Sequence, residues 1–346
     1  MDPQKHQNIL IRMPNWLGDA VMATPILADV RARYPLATLT ALCQGGVGSL
    51  LFGNPHLNEI FTFSRPSGWL HRQEHRDLIE RIRQGHYDLG VLLPNSLSSA
   101  WVLWRGNVKR RIGFARDGRR FLLTDPVPFP KCAGQEHLVN TYKRLLAPLQ
   151  ISLSTTAPQL FVTAEERLAA ELLLKQHHIP SGAPIVGINP GAAYGSAKCW
   201  LPDRFRSVIE KLMQHPRLYV ICFGDQTGAA LVHEICARMP TRVINLAAST
   251  NLRQLIALIQ RCNVFLTNDS GPMHIVAALK TPLVALFGST NEIATGPYEH
   301  GVVIHKHVEC SPCYKRTCPI DFRCMKRIEA DEVYQALIMQ IHAHLS

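Results

Sequence analysis

The chain has 346 residues, of which 47% are hydrophobic and 18% charged, a composition typical of a globular protein with two domains. The formal net charge of +11 is concentrated in residues 1–150, which carry 19 Lys and Arg against 11 Asp and Glu, and this excess favours nucleic acid, an anionic membrane or an acidic substrate as partner. No apolar run approaches the roughly 18 residues that span a bilayer, and the N-terminus lacks the apolar core of a signal peptide, so we expect a soluble cytoplasmic protein.

The first part of the chain predicts alternating strands and helices, which is the pattern of a parallel α/β sheet. The predicted strands are 8–12, 39–42, 59–63, 87–93 and 111–114, and the predicted helices are 19–33, 47–52, 73–83 and 136–147. The Pro-rich run 124–131 is predicted as loop, and the polar run 152–160 as a linker.

The loop between the first strand and the first helix contains a single glycine, Gly18, followed by Asp19. Because no G-x-G-x-x-G is present, a nicotinamide-dependent oxidoreductase is a weak hypothesis. A carboxylate at a helix start repels a phosphate, so Asp19 either caps the helix or acts as a base or hydroxyl acceptor.

The second part of the chain predicts the same alternation. Thr163 followed by Glu166 is a capping-box start for a helix ending near residue 177. The predicted strands are 185–188, 219–223, 242–246, 264–266 and 283–287, and further helices are predicted at 202–214, up to 238, at 251–260, 273–279 and 329–345. Two consecutive sheets of this kind predict two Rossmann-like domains.

Residues 189–200, NPGAAYGSAKCW, form a loop of small residues with a single cation, Lys198. Small residues let backbone N–H groups approach a phosphate, and a lysine adds a point charge. The G-x-x-x-x-G-K-[ST] frame is absent, so this is not a Walker loop. A phosphate site and a solvated lysine in an ordinary turn remain open as alternatives.

Residues 265–290, FLTNDSGPMHIVAALKTPLVALFGST, read as strand, helix and strand, with polar residues where the first strand ends. Asp269, Ser270, Gly271 and His274 would gather at one helix N-terminus, whose N–H groups and dipole favour a phosphate. The alternative is that Asp269 and Ser270 only cap the helix and His274 packs into it.

Ten cysteines in a cytoplasmic chain are expected to be reduced. Four of them are spaced C-x2-C-x4-C-x5-C, and they are Cys310, Cys313, Cys318 and Cys324. This spacing is metal-like but lacks paired C-x-x-C knuckles, so a metal site and a compact loop of thiols are both open.

Three motifs in this order resemble the ADP-heptose:lipopolysaccharide heptosyltransferases: residues 12–27 (RMPNWLGDAVMATPIL), 189–200, and 267–274 (TNDSGPMH). The resemblance covers nearly the whole chain and is greatest to the members that add the second heptose of the inner core. It implies an α/β fold of the GT-B type, with two Rossmann-like domains facing across a cleft. Residues 1–160 would bind the acceptor and 161–328 the ADP-heptose, while 329–346 would be a C-terminal helix, which is open to packing back on the N-terminal domain.

The resemblance also implies site residues for an inverting transfer that requires no cofactor beyond the donor substrate. Asp19 would be the general base, and Lys198 would stabilise the departing ADP. The other implied donor-binding residues are Asp269, Ser270, Gly271, His274, Ala193 and Tyr194. The basic N-terminal half would bind the phosphorylated lipid A–Kdo–heptose acceptor, and the expected contacts are Arg110, Arg111, Arg119 and Arg120.

An acidic glycolipid acceptor places the protein peripherally at the inner face of the inner membrane. Two close alternatives are the transferase that adds the first heptose and another core transferase of the family. A remoter one is a metal-containing nucleic-acid-binding protein, but aromatics are not interleaved with the basic clusters, so we expect no nucleic-acid partner.

Overall fold

The computed structural model describes residues 7–64 and 72–345, and the chain divides into two compact units, Met1–Phe161 and Val162–Ser346. Each unit is built on its own six-stranded parallel sheet. No helix in the described ranges is both long and apolar enough to cross a membrane.

The first unit alternates strands with helices nearly throughout. Its strands are β1 (Asn8–Arg12), β2 (Thr38–Gln44), β3 (Glu59–Phe63), β4 (Leu89–Leu92), β5 (Arg110–Phe114) and β6 (Asp125–Val127). Its helices are α1 (Leu17–Met22), α2 (Thr24–Arg33), α3 (Gly45–Leu51), α4 (Arg72–Gln84), α5 (Leu97–Arg105) and α6 (Leu138–Arg144).

The second unit repeats this plan. Its strands are β7 (Ile185–Asn189), β8 (Tyr219–Cys222), β9 (Val243–Asn245), β10 (Val264–Asn268), β11 (Leu283–Phe287) and β12 (Val302–His305). Its helices are α7 (Ala164–Gln176), α8 (Pro202–Leu212), α9 (Ala229–Cys236), α10 (Leu252–Arg261), α11 (Gly271–Ala278), α12 (Glu292–Thr295), α13 (Arg323–Lys326) and α14 (Ala330–Leu345).

The two sheets share one strand order. The first runs β3-β2-β1-β4-β5-β6, and the second runs β12-β11-β10-β7-β8-β9, which is the same order counted within its unit. Chain direction across the sheet therefore reverses between β1 and β4 in one unit and between β7 and β10 in the other. Open α/β sheets bind ligands beyond the carboxyl ends of the strands at such a point.

The central strands of both sheets are covered on both faces, as is usual in parallel sheets. All residues of β4, β7, β10 and β11 are buried, and a strand with both faces buried reads as a continuous apolar run. In the second unit, helix α14 packs against α8 and against β10 and β11. Its apolar face, which includes Val333 and Leu337, belongs to the core of that unit.

Several predicted elements differ from the structure. The single helix predicted at 19–33 is two helices, because the chain bends at Ala23 and Pro25 stands at the start of α2. Strand β6 lies inside the run predicted as loop and carries Pro126 at the sheet edge, where a missing N–H is tolerated. Helix α5 and strand β12 were not predicted. The predicted capping box is confirmed, since Thr163 and Glu166 bond reciprocally.

Candidate active site

An ion pair joins the ends of the two strands at the reversal point of the second sheet. Lys198, which lies in the loop after β7, places its Nζ 2.5 Å from Oδ2 of Asp269, which directly follows β10. The side chains are 14% and 4% exposed, so the pair is largely enclosed. Thr290, after β11, donates its hydroxyl to the same Oδ2 at 2.5 Å. Three strand ends thus converge on one carboxylate.

Asn268 fixes the glycine-rich loop to β10. This buried side chain donates from Nδ2 to the Pro190 carbonyl at 2.6 Å, and its Oδ1 accepts from the Trp200 N–H at 3.1 Å. Both ends of the loop are therefore anchored to the strand that precedes Asp269. Lys198 lies between these two anchors.

A second loop packs on the first. The Tyr194 hydroxyl donates to the Tyr314 carbonyl at 2.9 Å, and the Ala197 N–H donates to the Arg316 carbonyl at 2.9 Å. The Tyr194 ring lies 5.0 Å from the Lys198 ammonium and 5.3 Å from the Arg316 guanidinium. Cation–π attraction of this kind holds both cations beside the loop. Ala193, also a predicted donor-binding residue, is exposed here.

The start of α11 lies at the same edge. Ser270 precedes the helix, but its hydroxyl pairs with Thr267 Oγ1 at 3.0 Å and makes no capping bond. The Asp269 side chain bonds to Lys198 and Thr290. Capping of α11 therefore explains neither Asp269 nor Ser270. Gly271 is the first residue of α11, and the buried His274 lies in its first turn. The free N–H groups of a helix start attract anions.

Ser289 contributes an unpaired polar group to this edge of the described chain. Its Oγ is buried and has no hydrogen-bond partner among the residues that the structure describes. The residue lies between the end of β11 and Thr290, which contacts Asp269. Buried hydroxyls are nearly always hydrogen-bonded, so an orphaned one calls for a partner from outside the chain.

In the first unit, Asp19 lies in the first turn of α1, just beyond the carboxyl end of β1. The buried Tyr142 of α6 is close enough for the Asp19 charge to act on it. Burial raises the pKa of Tyr142 well above its usual value, and the Asp19 carboxylate raises it further. The phenol therefore stays protonated beside Asp19 over the working pH range.

Arg12, at the end of β1, is a functional candidate that sequence reasoning missed. It is buried, it donates to the Met13 carbonyl and, at 2.6 Å, to Asn15 Oδ1, and it lies 4.8 Å from the Phe63 ring. Burial lowers the pKa of Arg12 to about 10, so it is charged at neutral pH. Arg12 thus holds the loop between β1 and α1, the helix that carries Asp19. The sequence signal that could have identified Arg12 was a positively charged residue at the end of an apolar strand.

The four arginines expected to bind the acceptor differ in exposure. Arg110 forms a two-contact pair with Asp125, and Arg111 donates to main-chain carbonyls. Arg119 is fully buried and donates to the Phe114 and Pro94 carbonyls, and burial lowers its pKa to about 10. Arg120 is exposed. The first three thus have bonding roles inside the unit, and Arg120 faces solvent.

Cys310, Cys313 and Cys318 lie between β12 and α13, Cys324 lies in α13, and all four are free thiols. Burial raises the pKa of the Cys324 thiol, and the charges of Cys310, Cys318 and Cys313 raise it further. Within the described ranges, the cluster whose ligand atoms all lie within 4.8 Å is a different one, formed by Glu292, His305 and His307.

Comparison with known proteins gives a consistent answer. The model of glycosyltransferase family 9 (heptosyltransferase) matches residues 75–322. Lipopolysaccharide heptosyltransferase 2 of Salmonella typhimurium strain LT2 is 31% identical over 302 residues, which cover 84% of this chain and 86% of the relative.

Solved structures agree. The structure of E. coli ADP-heptose LPS heptosyltransferase II is 28% identical, has a TM-score of 0.84, and covers 98% of this chain and 100% of its own. The E. coli heptosyltransferase WaaC with ADP is 16% identical and shares the fold, with a TM-score of 0.75 and coverage of 96% of this chain and 100% of its own. The predicted GT-B fold is confirmed.

Proposed function

The chain belongs to glycosyltransferase family 9, the heptosyltransferases, and we propose that it transfers heptose from ADP-heptose to the first heptose of the lipopolysaccharide inner core, as heptosyltransferase II does. The observation that carries this proposal is the Lys198–Asp269 pair at the reversal point of the second sheet. It supplies one cation for a diphosphate and one carboxylate for sugar hydroxyls at a single enclosed edge.

The donor diphosphate binds between Lys198 and the start of α11. One ammonium hydrogen bonds to Asp269, and an ammonium carries three, so Lys198 has donors left for phosphate oxygens. The backbone N–H groups of Ser270 and Gly271 add to these donors. Negative charge grows on the leaving ADP as the glycosidic bond breaks, and cations fixed in advance stabilise that charge.

Arg316 supplies a second cation to the same phosphates. Its guanidinium shares the Tyr194 ring with Lys198, and its carbonyl is bonded to the loop at Ala197. Lys198 and Arg316 thus neutralise the negative charge of the donor diphosphate. His274 and Ala193 complete the proposed donor contacts, and Asp269 accepts hydrogen bonds from the heptose hydroxyls.

The acceptor binds to the first unit, where Asp19 is the general base. A single displacement with inversion needs one base to take the proton of the attacking hydroxyl, and a carboxylate beyond the end of a central strand suits that role. Tyr142 next to it remains a neutral phenol. We propose that Arg120 contacts acceptor phosphate and that Arg110, Arg111 and Arg119 position the surface around it.

We propose that the first unit docks on an anionic phospholipid surface through one face of α5. Leu97, Trp101 and Trp104 follow each other at helical spacing and are 46%, 37% and 47% exposed. Tryptophan is enriched at the interface between lipid and water. Arg105 lies over the Trp101 ring at 5.6 Å, and together with Arg76 it lines a cavity of about 320 Å³.

Incubation with ADP-heptose and two lipid A–Kdo acceptors tests the function, with mass change and ADP release as readouts. One acceptor carries a single heptose and the other carries none. We expect a gain of one heptose on the first acceptor only. A gain on the heptose-free acceptor alone would assign the first transfer step instead, and no gain on either acceptor would refute the proposed transfer.

A further inference from the structure

A histidine and carboxylate cluster lies beside the proposed donor edge and has no part in the proposed transfer. Glu292 opens α12, His305 ends β12, and His307 follows two residues later. One ligand atom from each of the three residues lies within 4.8 Å of the other two. The three side chains come from two separate segments, so the tertiary fold brings them together.

The spacing of these atoms suits a single metal ion. His305 Nδ1 lies 2.7 Å from Glu292 Oε2, and His307 Nε2 lies 3.7 Å from Glu292 Oε1. Ligands around a tetrahedral ion with bonds of about 2.0–2.2 Å are about 3.3–3.6 Å apart. One observed separation is shorter and the other slightly longer than this range, and each runs to a different oxygen of the Glu292 carboxylate, so side-chain rotations are needed to bring the three ligands onto one ion.

Ser311 holds the His305 ring by a hydrogen bond, as a hydrogen-bond partner outside the metal's own ligands holds a metal-binding histidine. His305 Nε2 lies 2.9 Å from Ser311 Oγ, and the Ser311 hydroxyl donates to the Gly288 carbonyl. The only hydrogen of that hydroxyl is therefore used, so Oγ accepts from Nε2–H. In the absence of a metal, Nδ1 shares a proton with Glu292 Oε2 at 2.7 Å, and an ion bound between them would take the place of that proton. Ligating histidines usually donate their other N–H to an outer partner, as Nε2 does here.

The same contacts argue against a serine nucleophile. The contacts run from the Glu292 carboxylate to His305 and from His305 to Ser311, as in a hydrolase triad. In such a triad the serine hydroxyl donates to the histidine. Here the serine donates to Gly288 instead, so His305 is not placed to take its proton. Such a triad also leaves His307 without a role, whereas a metal site uses its ring nitrogen.

We propose that Glu292, His305 and His307 bind a divalent transition metal such as zinc. Imidazole and carboxylate ligands suit this class of ion, and three protein ligands leave a fourth position for water. The ion links the loop after β11 to the end of β12. Thr290 of that loop bonds to Asp269, so the metal stabilises the edge that holds Lys198 without touching the reacting atoms.

Titration of the chelator-treated full chain with Co2+ tests the site, because cobalt reports its ligands in the absorption spectrum. We expect one equivalent to bind with the visible bands of a nitrogen and oxygen site and without a thiolate-to-cobalt charge-transfer band. Zn2+ should displace the Co2+ and raise the melting temperature of the chain.

Single variants identify the ligands. Glu292→Gln and His307→Asn should abolish the visible Co2+ bands and the Zn2+ effect on melting. Ser311→Ala should keep the stoichiometry and weaken Co2+ binding about 10–100-fold, as loss of an outer partner does. His233→Asn on α9, an exposed histidine outside the cluster, is the matched control and should bind Co2+ like the wild type.

Cys318→Ser separates this site from the cysteine segment and should leave Co2+ binding unchanged. Three results would overturn the proposal: no Co2+ binding, Co2+ binding retained in both Glu292→Gln and His307→Asn, or a charge-transfer band that Cys318→Ser removes. None of these readouts depends on heptosyl transfer, so the metal site and the proposed function stand or fall separately.

Discussion

Asp19 and Lys198 occupy the same place in their respective units, beyond the first strand of a sheet at the point where strand order reverses. The two units share one fold, but the side chain at this place is negative in the first unit and positive in the second. A carboxylate there repels phosphate and suits a base, whereas an ammonium attracts phosphate and suits a leaving diphosphate. In the proposed mechanism, one architecture thus provides two different chemistries through a single side chain in each unit.

The role of Asp19 as base predicts the behaviour of Asp19→Asn. An amide cannot accept the acceptor proton, so we expect transfer to fall by about 10²–10⁴-fold. ADP affinity should stay unchanged, because the proposed ADP contacts belong to the second unit. Asp77→Asn, an exposed carboxylate on α4, is the matched control. Wild-type turnover by Asp19→Asn in a steady-state ADP-release assay would remove Asp19 from this role.

At the scale of elements, two loops packed on one another contribute to the proposed donor edge, and one of them has a 3-10 turn at Ser196–Lys198. The backbone of Gly195 has a φ of 154°, and a Cβ at this position would lie 2.3 Å from the Arg316 carbonyl oxygen. Only glycine therefore permits the close packing of the loop after β7 on the loop that carries Arg316. That packing places Lys198 and Arg316 on one tyrosine ring.

Gly195→Ala should separate these loops while leaving the sheet intact. We expect ADP binding measured by calorimetry to weaken by about tenfold or more, with little change in far-UV circular dichroism. Gly191→Ala in the same loop is the matched control, since a Cβ there meets nothing within 4 Å. Equal ADP affinity of the two variants would show that the loop contact does not matter for the donor.

Helix α7 is attached to α10 by a partly buried pair, Glu166 with Arg253, at 2.6 and 2.5 Å. Hydrogen bonds from Arg253 hold the pKa of Glu166 below its usual value. The folded state therefore binds fewer protons, and the stabilisation is present above the ordinary glutamate pKa of about 4.3 and lost as pH falls through the lower native value.

Glu166→Gln should accordingly lower the free energy of unfolding by about 1–2 kcal/mol at pH 7, because the amide keeps one acceptor oxygen but loses the charge and the second contact with Arg253. The difference from the wild type should shrink as pH falls below about 4.3. Urea unfolding at several pH values measures both, with the exposed Glu210→Gln as control. A difference that is independent of pH would contradict the assignment.

The elements that sequence reasoning found are those with strong local signals. Strand β1 and the capping box of α7 were predicted at the residues observed, because an apolar run and a Thr–Glu spacing are local. Helix α5 was missed, since its exposed tryptophans break the usual polar and apolar pattern. Strand β6 was missed because a run with several prolines predicts a loop, although a proline is tolerated in an edge strand.

Side-chain pairing across distant segments could not be predicted. Lys198 and Asp269 were both identified from their motifs as donor-binding residues, yet the sequence did not show them in contact. That contact depends on β7 and β10 being adjacent in the sheet. Arg316 was missed for the same reason, because only the packing of two loops brings it to Tyr194.

At the scale of the whole molecule, charge is divided between the two halves of the chain. Residues 1–150 have an excess of eight basic groups and residues 151–346 an excess of three. The proposed function would explain this asymmetry, because it gives the first unit an acidic lipid-linked acceptor and the second unit a soluble nucleotide sugar. Attraction between a basic surface and anionic lipids concentrates the enzyme where its proposed acceptor lies.

Docking through α5 predicts sedimentation with vesicles that contain phosphatidylglycerol and much less with neutral vesicles. Trp104→Ser should weaken the binding about tenfold, which is the size expected for losing a buried aromatic group. Raising the salt concentration should weaken it further, because salt screens the charges. Leu168→Ser, an exposed leucine on α7, is the control. Equal binding of both variants would exclude the α5 face.

The most direct test of the account is a calorimetric titration of ADP into the wild type, Lys198→Ala and Lys175→Ala. Lys175 is an exposed lysine on α7 and serves as the matched control. We predict that Lys198→Ala weakens ADP binding by about tenfold or more, since a charged hydrogen bond to phosphate contributes about 1.5–3 kcal/mol. ADP affinity equal to that of the wild type in Lys198→Ala would contradict a diphosphate site at the reversal point of the second sheet.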